Sequence, residues 1–305
     1  TTTGEHAIAI VDVSFDVDHE DLADNIWTNV HDPLNGVDDD GNGYTDDYRG
    51  WHVANGSSEM ALDALDHGTA VAGIAGAVGN NGLGISGVAW DTHLLVVDHN
   101  WEAVLMTSPT LEAYGYILAM RRLYDSSGGA KGLKVVVSNS SFGIGGADCQ
   151  SPGYAVWNDL YNELGSLGIL STVSTTNDHV DVESLGDVPS TCTSPFVVAA
   201  TQTSVLGLVD HSGYGTTSVD VAVPTDNTWS IHAGNTYDYV SGTSFASPTV
   251  AGSVALIHEA AHSCFKSAAN ATPAAAALAL KATVLMSVDA NSALNDKVSS
   301  GGTLN

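Results

Sequence analysis

The sequence predicts an α/β fold, with a doubly wound, mostly parallel sheet flanked by helices. Short runs rich in β-branched residues alternate along the chain with longer runs that have helical spacing. Most of the strand-like runs are apolar on both faces. That pattern is typical of parallel strands covered by helices on both sides.

Ten elements follow from this reading. The expected strands are short, apolar runs at residues 7–13, 94–98, 133–139, 169–173 and 196–201. The expected helices have longer helical periodicity and lie at residues 67–78, 111–124, 154–164, 244–262 and 273–286. Since no internal repeat, low-complexity tract or linker interrupts the pattern, we expect one domain over residues 1–305.

The composition limits the classes of partner. The chain has 305 residues, of which 44% are hydrophobic, so it can bury a large core. It has 8 Lys and Arg against 35 Asp and Glu, a formal net charge of −27. Such a charge repels phosphate backbones and anionic membrane surfaces, so nucleic acid is not expected as a partner. The acidity fits a secreted, salt-tolerant or calcium-binding protein, or simply a need for solubility.

Membrane and zinc sites are not expected either. No run of about 18 apolar residues is present, so the sequence predicts no transmembrane helix. The first residues lack the basic start and apolar stretch of a signal peptide, so an exported protein would be represented by its processed form. The cysteines Cys149, Cys192 and Cys264 allow one disulfide and one thiol, and the absence of CxxC pairs argues against zinc.

Three residues at the ends of predicted elements are candidates for catalysis. Asp12 lies where the first strand ends, His67 begins the helix HGTAVAGIAGA, and Ser244 begins another helix in Gly-Thr-Ser-x-Ala. Each has a structural alternative: Asp12 as a turn cap, His67 as a structural histidine and Ser244 as a helix cap. The chain order Asp, His, Ser is nevertheless one that builds a serine protease triad.

The segments around these residues resemble the subtilisin-like serine proteases, or subtilases. The matching stretches are IVDVSFDVDHEDL, HGTAVAG and SGTSFASPTVAG. The resemblance implies a subtilisin-like fold and a secreted serine endopeptidase that cuts polypeptide substrates through an acyl-enzyme intermediate. It also implies a precursor whose propeptide is removed during maturation.

The resemblance assigns a role to each catalytic residue. Ser244 would attack the scissile carbonyl, and His67 would accept its proton and pass it to the leaving amine. Asp12 would orient the imidazole. Asn177, in STTNDH, matches the family's oxyanion-hole asparagine and would act with the Ser244 backbone N–H. A turn-forming role is the alternative for Asn177.

The resemblance also places the substrate. One expected binding edge is Ser140-Ser141-Phe142-Gly143, against which a peptide could add as a strand. Thr175 and Thr176 are also expected to bind substrate, with Thr176 in the wall of the primary specificity pocket.

The sequence departs from the family pattern in three places. The family usually has Asp-Thr-Gly where this chain has Asp12-Val13-Ser14. It has Ala-Gly in place of Thr175-Thr176, so Thr176 is expected either to narrow the specificity pocket or to move Asn177. The segment DHNWEA, residues 98–103, stands where the family's Gly-Ser-Gly edge is expected.

A calcium loop is predicted in NGVDDDGNGYTDDYRGW, where oxygen-bearing residues alternate as at the start of an EF-hand loop. Arg49 occupies position twelve, where a bidentate Glu is expected, so Asp46 or Asp47 could replace that ligand. A solvated acidic turn is the alternative. The candidate ligands are Asp38, Asp40, Asn42, the Tyr44 carbonyl, Asp46 and Asp47.

The resemblance implies a second calcium site. The calcium ligands would be Asp21, the Asn80 side chain and the carbonyls of Val78, Leu83 and Ile85.

One disulfide is expected from the positions of the cysteines. Cys149 and Cys192 both follow segments expected near the substrate, so we expect a bond between them, with Cys264 free. Three buried thiols are the alternative.

Two other classes of function remain open. The altered residues around Asp12 and Asn177 would also fit a proteolytically inactive relative that binds peptides. The charge and the acidic loop would fit a calcium-binding structural protein. An α/β-hydrolase esterase is disfavoured because Ser244 lacks the G-x-S-x-G elbow.

Overall fold

A computed structural model describes residues 6–60, 62, 66–99, 107–204 and 207–305. Its internal contacts divide the chain into two compact units. Unit 1 comprises Thr1–Ser138 and Trp229–Asp238, and unit 2 comprises Asn139–Thr228 and Tyr239–Asn305. The expectation of one domain over residues 1–305 stays a prediction.

Unit 1 contains strands flanked by helices. The strands are β1 (Ala7–Asp12), β2 (Trp51–His52), β3 (His93–Asp98) and β4 (Val135–Ser140), and the last two residues of β4 belong to unit 2. They lie in the order β4, β1, β3, β2, and β3 is parallel to both β1 and β2. The helices α1 (His67–Gly76) and α2 (Thr107–Ser126) both pack on β1.

The remaining strands are short. They are β5 (Ile144–Gly145), β6 (Leu170–Ser174), β7 (Asp187–Val188), β8 (Val197–Ser204), β9 (Gly207–Leu208), β10 (Val221–Val223), β11 (Thr228–His232), β12 (Thr236–Val240), β13 (Val288–Ala290) and β14 (Gly302–Leu304). In unit 2 the sheet order is β13, β14, β10, β8, β6. The pairs β6/β8, β8/β10 and β10/β14 are parallel, whereas β13 is antiparallel to β14. β5 pairs separately with β7, and β11 pairs with β12.

The helices of unit 2 cover this sheet. They are α3 (Val156–Ser166), α4 (Val182–Leu185), α5 (Thr243–Ala260), α6 (Ser263–Ala271) and α7 (Pro273–Met286). α5 packs on β6, β8 and β10, and α3 and α7 both pack on β6. The predicted α/β class, a mostly parallel sheet flanked by helices, is confirmed.

All ten predicted elements are present, with boundaries that differ by a few residues. The strand predicted at residues 7–13 is Ala7–Asp12, and the helix predicted at residues 273–286 is Pro273–Met286. The helix predicted at residues 244–262 ends earlier, at Ala260, and α6 follows it as a separate element. Several two- and three-residue strands were not predicted because such segments are too short to show periodicity.

The core is built from the apolar strands. Every residue of β1 is buried, and so are the first seven residues of β8. Burial on both faces explains why these strands read as continuous apolar runs rather than as alternating ones. In the part of the chain that the structure describes, no helix has both the length and the apolar character needed to span a membrane.

The cysteines are arranged as predicted. Cys149 and Cys192 form a disulfide within unit 2, and Cys264 is free and exposed. Both bonded cysteines are buried. The covalent link joins the segment after β5 to the segment after β7.

Truncation of a buried side chain in β1 is expected to lower the stability of the fold. Ile10 has no exposed surface, so Ile10→Ala removes buried methyl groups and leaves a cavity. We expect the free energy of unfolding to fall by about 2–5 kcal/mol in chemical denaturation. Val30→Ala is the control, because 71% of Val30 is exposed, and it is expected to change stability by less than about 0.5 kcal/mol. Equal effects of the two substitutions would contradict this account of the core.

Candidate active site

Unit 1 holds an aspartate and a histidine in direct contact. Asp12 ends β1 and is buried, and His67 begins α1 with 26% of its side chain exposed. The His67 Nδ1 atom lies 2.6 Å from Asp12 Oδ1. Because a carboxylate only accepts, this geometry places the proton of a neutral imidazole on Nδ1. The Nε2 atom then carries the lone pair that can act as a base.

The surroundings of His67 change its basicity. Removal from water lowers the pKa of the imidazole, whereas the charge of Asp12 and the hydrogen bond with it raise that pKa. The charge of Asp66 raises it further, and the net direction is upward from the ordinary value. Asp66 is itself held in place, since its carboxylate lies 3.1 Å from His232 Nδ1 and accepts from the Ala233 N–H.

The residues after Asp12 take part in the hydrogen bonds around its carboxylate. Asp12 Oδ1 accepts the Val13 N–H at 2.8 Å as well as the imidazole, whereas buried Oδ2 has no hydrogen-bond partner in the described part of the chain. The Ser14 N–H donates instead to Asp98. The His99 N–H and ring Nδ1 both contact the Asp12 carbonyl. Asp98 and His99 were not predicted as part of this site, although the parallel register places Asp98 directly beside Asp12.

In unit 2, Ser244 lies in the first turn of α5. The preceding Gly242 has φ +143°, a conformation that a side chain would strain, and a Cβ there would meet Asn177 at 3.3 Å. Pro248 has no N–H and leaves the Ser244 carbonyl without its usual helical partner. The Ser141 hydroxyl donates to that carbonyl at 2.6 Å, and the Ser244 hydroxyl donates to the Ser141 carbonyl at 3.2 Å. Ser141 therefore anchors the predicted nucleophile.

Asn177 is oriented by its neighbour Thr243. The Asn177 side-chain oxygen accepts the Thr243 N–H at 2.9 Å and lies 3.0 Å from the Thr243 hydroxyl. That hydroxyl also contacts the Thr175 carbonyl. Since the oxygen is occupied, the Asn177 amide N–H group is the part left to bind a ligand. Thr243 was not predicted to take part, because a threonine in a small-residue turn carries no distinctive signal.

The predicted substrate-binding residues follow two strands of unit 2. Ser140 ends β4 and leads through Ser141 and Phe142 to Gly143, while Thr175 and Thr176 follow β6. The Thr176 hydroxyl accepts the Asp178 N–H, and its methyl group faces Gly213. The effect of Thr176 on pocket size stays a prediction. In DHNWEA, residues 100–103 lie outside the described part of the chain.

In the predicted calcium loop, side-chain oxygens accept hydrogen bonds from the loop's own backbone N–H groups. Asp38 accepts the N–H groups of Gly41, Asn42 and Gly43. The Asn42 side-chain oxygen accepts the Tyr44 N–H.

Two of the loop's other side chains contact neighbouring segments. Asp46 accepts the N–H groups of Asn35 and Gly36, on a segment upstream of the loop. Arg49, at position twelve, forms an ion pair with Asp18 at 2.6 Å.

Asp40 and Asp47 form the buried centre of this loop. Their exposed fractions are 6% and 0%, and the Asn29 amide donates to both carboxylates. Asn42 also donates to Asp47, at 2.7 Å. Burial raises the pKa of Asp47 to about 7, these amide hydrogen bonds oppose the rise, and the charge of Asp40 adds to it. No described group of three or more His, Cys, Asp or Glu side chains is arranged to hold a metal ion. The oxygens here would fit Ca²⁺ only with carbonyl and amide ligands included, which this ion accepts.

The second predicted calcium site is centred on Asp21, which is fully buried. Its carboxylate accepts the Asn81 amide at 2.6 Å and the Ile85 N–H at 2.8 Å. The Val78 N–H donates to the Asp21 carbonyl. The Asn81 amide that contacts Asp21 belongs to the residue next to the predicted ligand Asn80. The assignment of Asn80 as a calcium ligand stays a prediction.

Comparison with known proteins agrees with this geometry. The profile of the subtilase family matches residues 4–301. The chain is 30% identical over 270 residues to subtilisin-like protease 1 of Plasmodium vivax, covering 82% of this chain and 40% of the relative. It is 31% identical over 261 residues to an extracellular protease of Xanthomonas campestris, covering 80% of this chain and 41% of the relative. The chain thus spans about two fifths of the length of these relatives.

A solved structure shares the fold. The epidermin leader peptide processing serine protease of Staphylococcus aureus aligns with a TM-score of 0.67 and 20% identity. The alignment covers 99% of this chain and 74% of that protein. At this identity the likeness concerns the fold alone, and it identifies the α/β architecture as subtilisin-like. With the family profile matching nearly the whole chain, this protein belongs to the subtilase family.

Proposed function

We propose that this protein is a serine endopeptidase in which Ser244 is the nucleophile, His67 the general base and Asp12 the residue that orients the base. The observation that carries the proposal is the 2.6 Å contact between Asp12 Oδ1 and His67 Nδ1 in a subtilase chain. That contact leaves Nε2 as the basic atom of His67. A serine hydroxyl is too weakly acidic to attack an amide without such a base.

Each proton has a defined route in this mechanism. His67 Nε2 takes the proton of the Ser244 hydroxyl as the oxygen attacks the peptide carbonyl. The imidazolium is stabilised by Asp12 and then gives its proton to the leaving amine, which breaks the peptide bond. A water molecule then attacks the acyl group on Ser244, and His67 Nε2 takes its proton. The imidazolium returns that proton to the Ser244 oxygen as the ester bond breaks.

The oxyanion would be bound within unit 2. The Ser244 backbone N–H belongs to the first turn of α5, where helical N–H groups have no helical acceptor. The Asn177 amide N–H group is kept available because Thr243 occupies the Asn177 oxygen. Loss of one such donor costs roughly 3–4 kcal/mol of transition-state stabilisation in subtilisin, which is the worked example of this principle.

The substrate class, the propeptide and secretion are proposed from the family and its relatives. Polypeptides are the proposed substrates, and a propeptide is proposed to precede the mature chain. Secretion is proposed because a similar protein from Xanthomonas campestris is named an extracellular protease. The disulfide Cys149–Cys192 agrees with an oxidising compartment.

Calcium is proposed as a stabilising ligand at two places. In the first, the Lys131 ammonium contacts the Asp40 carbonyl, whereas the buried Asp40 and Asp47 carboxylates accept from amide and backbone N–H groups, and a bound ion would offset the repulsion between these carboxylates. In the second, Asp21 is buried beside a loop whose carbonyls Val78, Leu83 and Ile85 are the proposed further ligands. An ion that binds only the folded state stabilises it by mass action.

Replacement of the nucleophile should abolish hydrolysis. We expect Ser244→Ala to lower the rate of casein hydrolysis by about 10⁶-fold while the circular dichroism spectrum stays unchanged. Ser253→Ala is the matched control, because it removes a serine hydroxyl from the same helix that bonds only to the Thr249 carbonyl. Full activity in Ser244→Ala, or none in the folded wild type, would refute the proposal. The second result would favour a peptide-binding relative.

The pH dependence of kcat/KM should follow the protonation of His67. Because neighbouring charges raise its pKa, kcat/KM is expected to increase with pH through a midpoint above about 6.5, where the imidazole loses its proton. Asp12→Asn removes the charge that raises this pKa, so the midpoint of the residual activity should fall. His31→Gln, which removes an exposed imidazole of unit 1, should leave the midpoint unchanged. A profile without any midpoint between about pH 5 and 9 would contradict the role of His67.

Calcium removal should destabilise the fold. At a calcium concentration about 100 times the dissociation constant, binding contributes about 2.7 kcal/mol, so EDTA should lower the Tm by several degrees. Asp40→Asn should reduce the effect of EDTA, whereas Asp24→Asn, on an exposed position, should not. An identical Tm with calcium and with EDTA would eliminate both proposed sites.

A further inference from the structure

A buried carboxylate lies between the two predicted walls of the substrate site. Asp187 is 1% exposed and forms β7 with Val188. Its Oδ2 atom accepts the Thr176 N–H at 2.9 Å and the Ser190 hydroxyl at 2.6 Å. Thr176 is the residue before Asn177, so one oxygen of Asp187 is fixed against the wall that carries the proposed oxyanion donor.

The other oxygen faces the opposite wall. Asp187 Oδ1 is buried and has no hydrogen-bond partner among the residues that the structure describes. A Cβ placed on Gly143 would lie only 3.2 Å from it, so a glycine here lets the backbone of this segment approach the oxygen closely. Gly143 ends the segment Ser140–Gly143 predicted to bind substrate, and the next residues form β5, which pairs with β7.

This arrangement is unfavourable without a cation. Burial raises the pKa of Asp187 to about 6, although hydrogen bonds from Ser190 and Thr176 oppose the rise. The charge of Asp178 raises it as well. The carboxylate is therefore mostly ionised at neutral pH, with one oxygen desolvated and unpaired. A buried charge in this condition normally has a partner.

The protein's own lysines in unit 2 contact other groups. The unit contains three lysines and no arginine. Lys266 pairs with Glu259 at 3.3 Å, and Lys281 pairs with Asp220 at 3.2 Å. Lys297 lies 3.5 Å from the centre of the Tyr214 ring. The missing cation must therefore come from outside this unit, and the single available oxygen suits an ammonium or guanidinium group better than a metal ion, which needs several ligands.

We infer that Asp187 is a specificity-determining residue that binds a lysine or arginine side chain of the substrate, at the position immediately before the scissile bond. The inference rests on the proposed peptidase function. The substrate cation enters between the Gly143 and Thr176 walls and pairs with Oδ1, which completes the coordination of the carboxylate. A neutral side chain in the same place leaves that charge unpaired, so it is disfavoured.

The test uses peptides that differ only in the residue before the cut. At about pH 8, kcat/KM for lysine and arginine peptides is expected to exceed that for leucine and phenylalanine peptides by roughly 100-fold. Asp187→Asn should reduce this ratio to below about threefold while turnover of the leucine peptide persists. Asp178→Asn is the matched control: it removes an equal charge from an exposed neighbouring position and should keep the ratio.

Two further readouts separate this role from a structural one. The ratio should decline as the pH falls through about 6, since protonation removes the charge of Asp187, and effects on His67 cancel in a ratio. Near pH 8, Asp187→Asn should also raise the Tm, because the unpaired charge disfavours the folded state; a purely structural aspartate would give a lower Tm.

The outcomes distinguish this inference from the proposed function. Turnover that is indifferent to the basic side chain, or a ratio unaffected by Asp187→Asn, overturns the inference and leaves the peptidase intact. Absence of turnover for every peptide counts against the peptidase itself. In that case the Ser244→Ala protein is tested for binding by thermal shift with peptides ending in lysine or leucine, and equal shifts overturn the inference independently.

Discussion

The hydrogen bond between Asp12 and His67 is the interaction on which the proposed chemistry depends. It exists because β1 ends with a carboxylate and α1 begins with an imidazole in the same unit. The strand is wholly buried, so the position of Asp12 is fixed by core packing rather than by a loop. This bond selects the Nδ1 tautomer and raises the pKa of His67, and both effects prepare Nε2 to accept a proton. Without it, Ser244 would have no assigned base.

In unit 2, hydrogen bonds and backbone geometry hold the proposed catalytic groups in position. Pro248 frees the Ser244 carbonyl, and Ser141 satisfies it, which ties the start of α5 to the segment after β4. Thr243 occupies the side-chain oxygen of Asn177 and leaves its N–H group available. These contacts hold two N–H donors, the Ser244 backbone and the Asn177 amide, in position. The proposed oxyanion is therefore stabilised by neutral groups.

The sequence predicted the fold well because parallel strands buried on both faces leave long apolar runs, as in residues 7–13 and 196–201. It identified the disulfide and the family through local motifs. It missed Asp98, Thr243 and Asp187, because their roles depend on strand register and on contacts between segments distant along the chain. The hydrogen bond from Asn81 to Asp21 was not predicted either, since the spacing of residues does not show which side chain of a loop turns toward a buried carboxylate.

Buried carboxylates recur where outside cations are proposed to bind, at Asp40 and Asp47 for calcium and at Asp187 for substrate. The central claim, however, is that His67 activates Ser244. Its most direct measurement is the rate at which a fluorophosphonate modifies Ser244 in the wild type and in His67→Ala, followed by mass spectrometry of the intact protein. The account predicts labelling at Ser244 alone and a rate at least about 10³-fold lower in His67→Ala. Equal rates in the two proteins would contradict it.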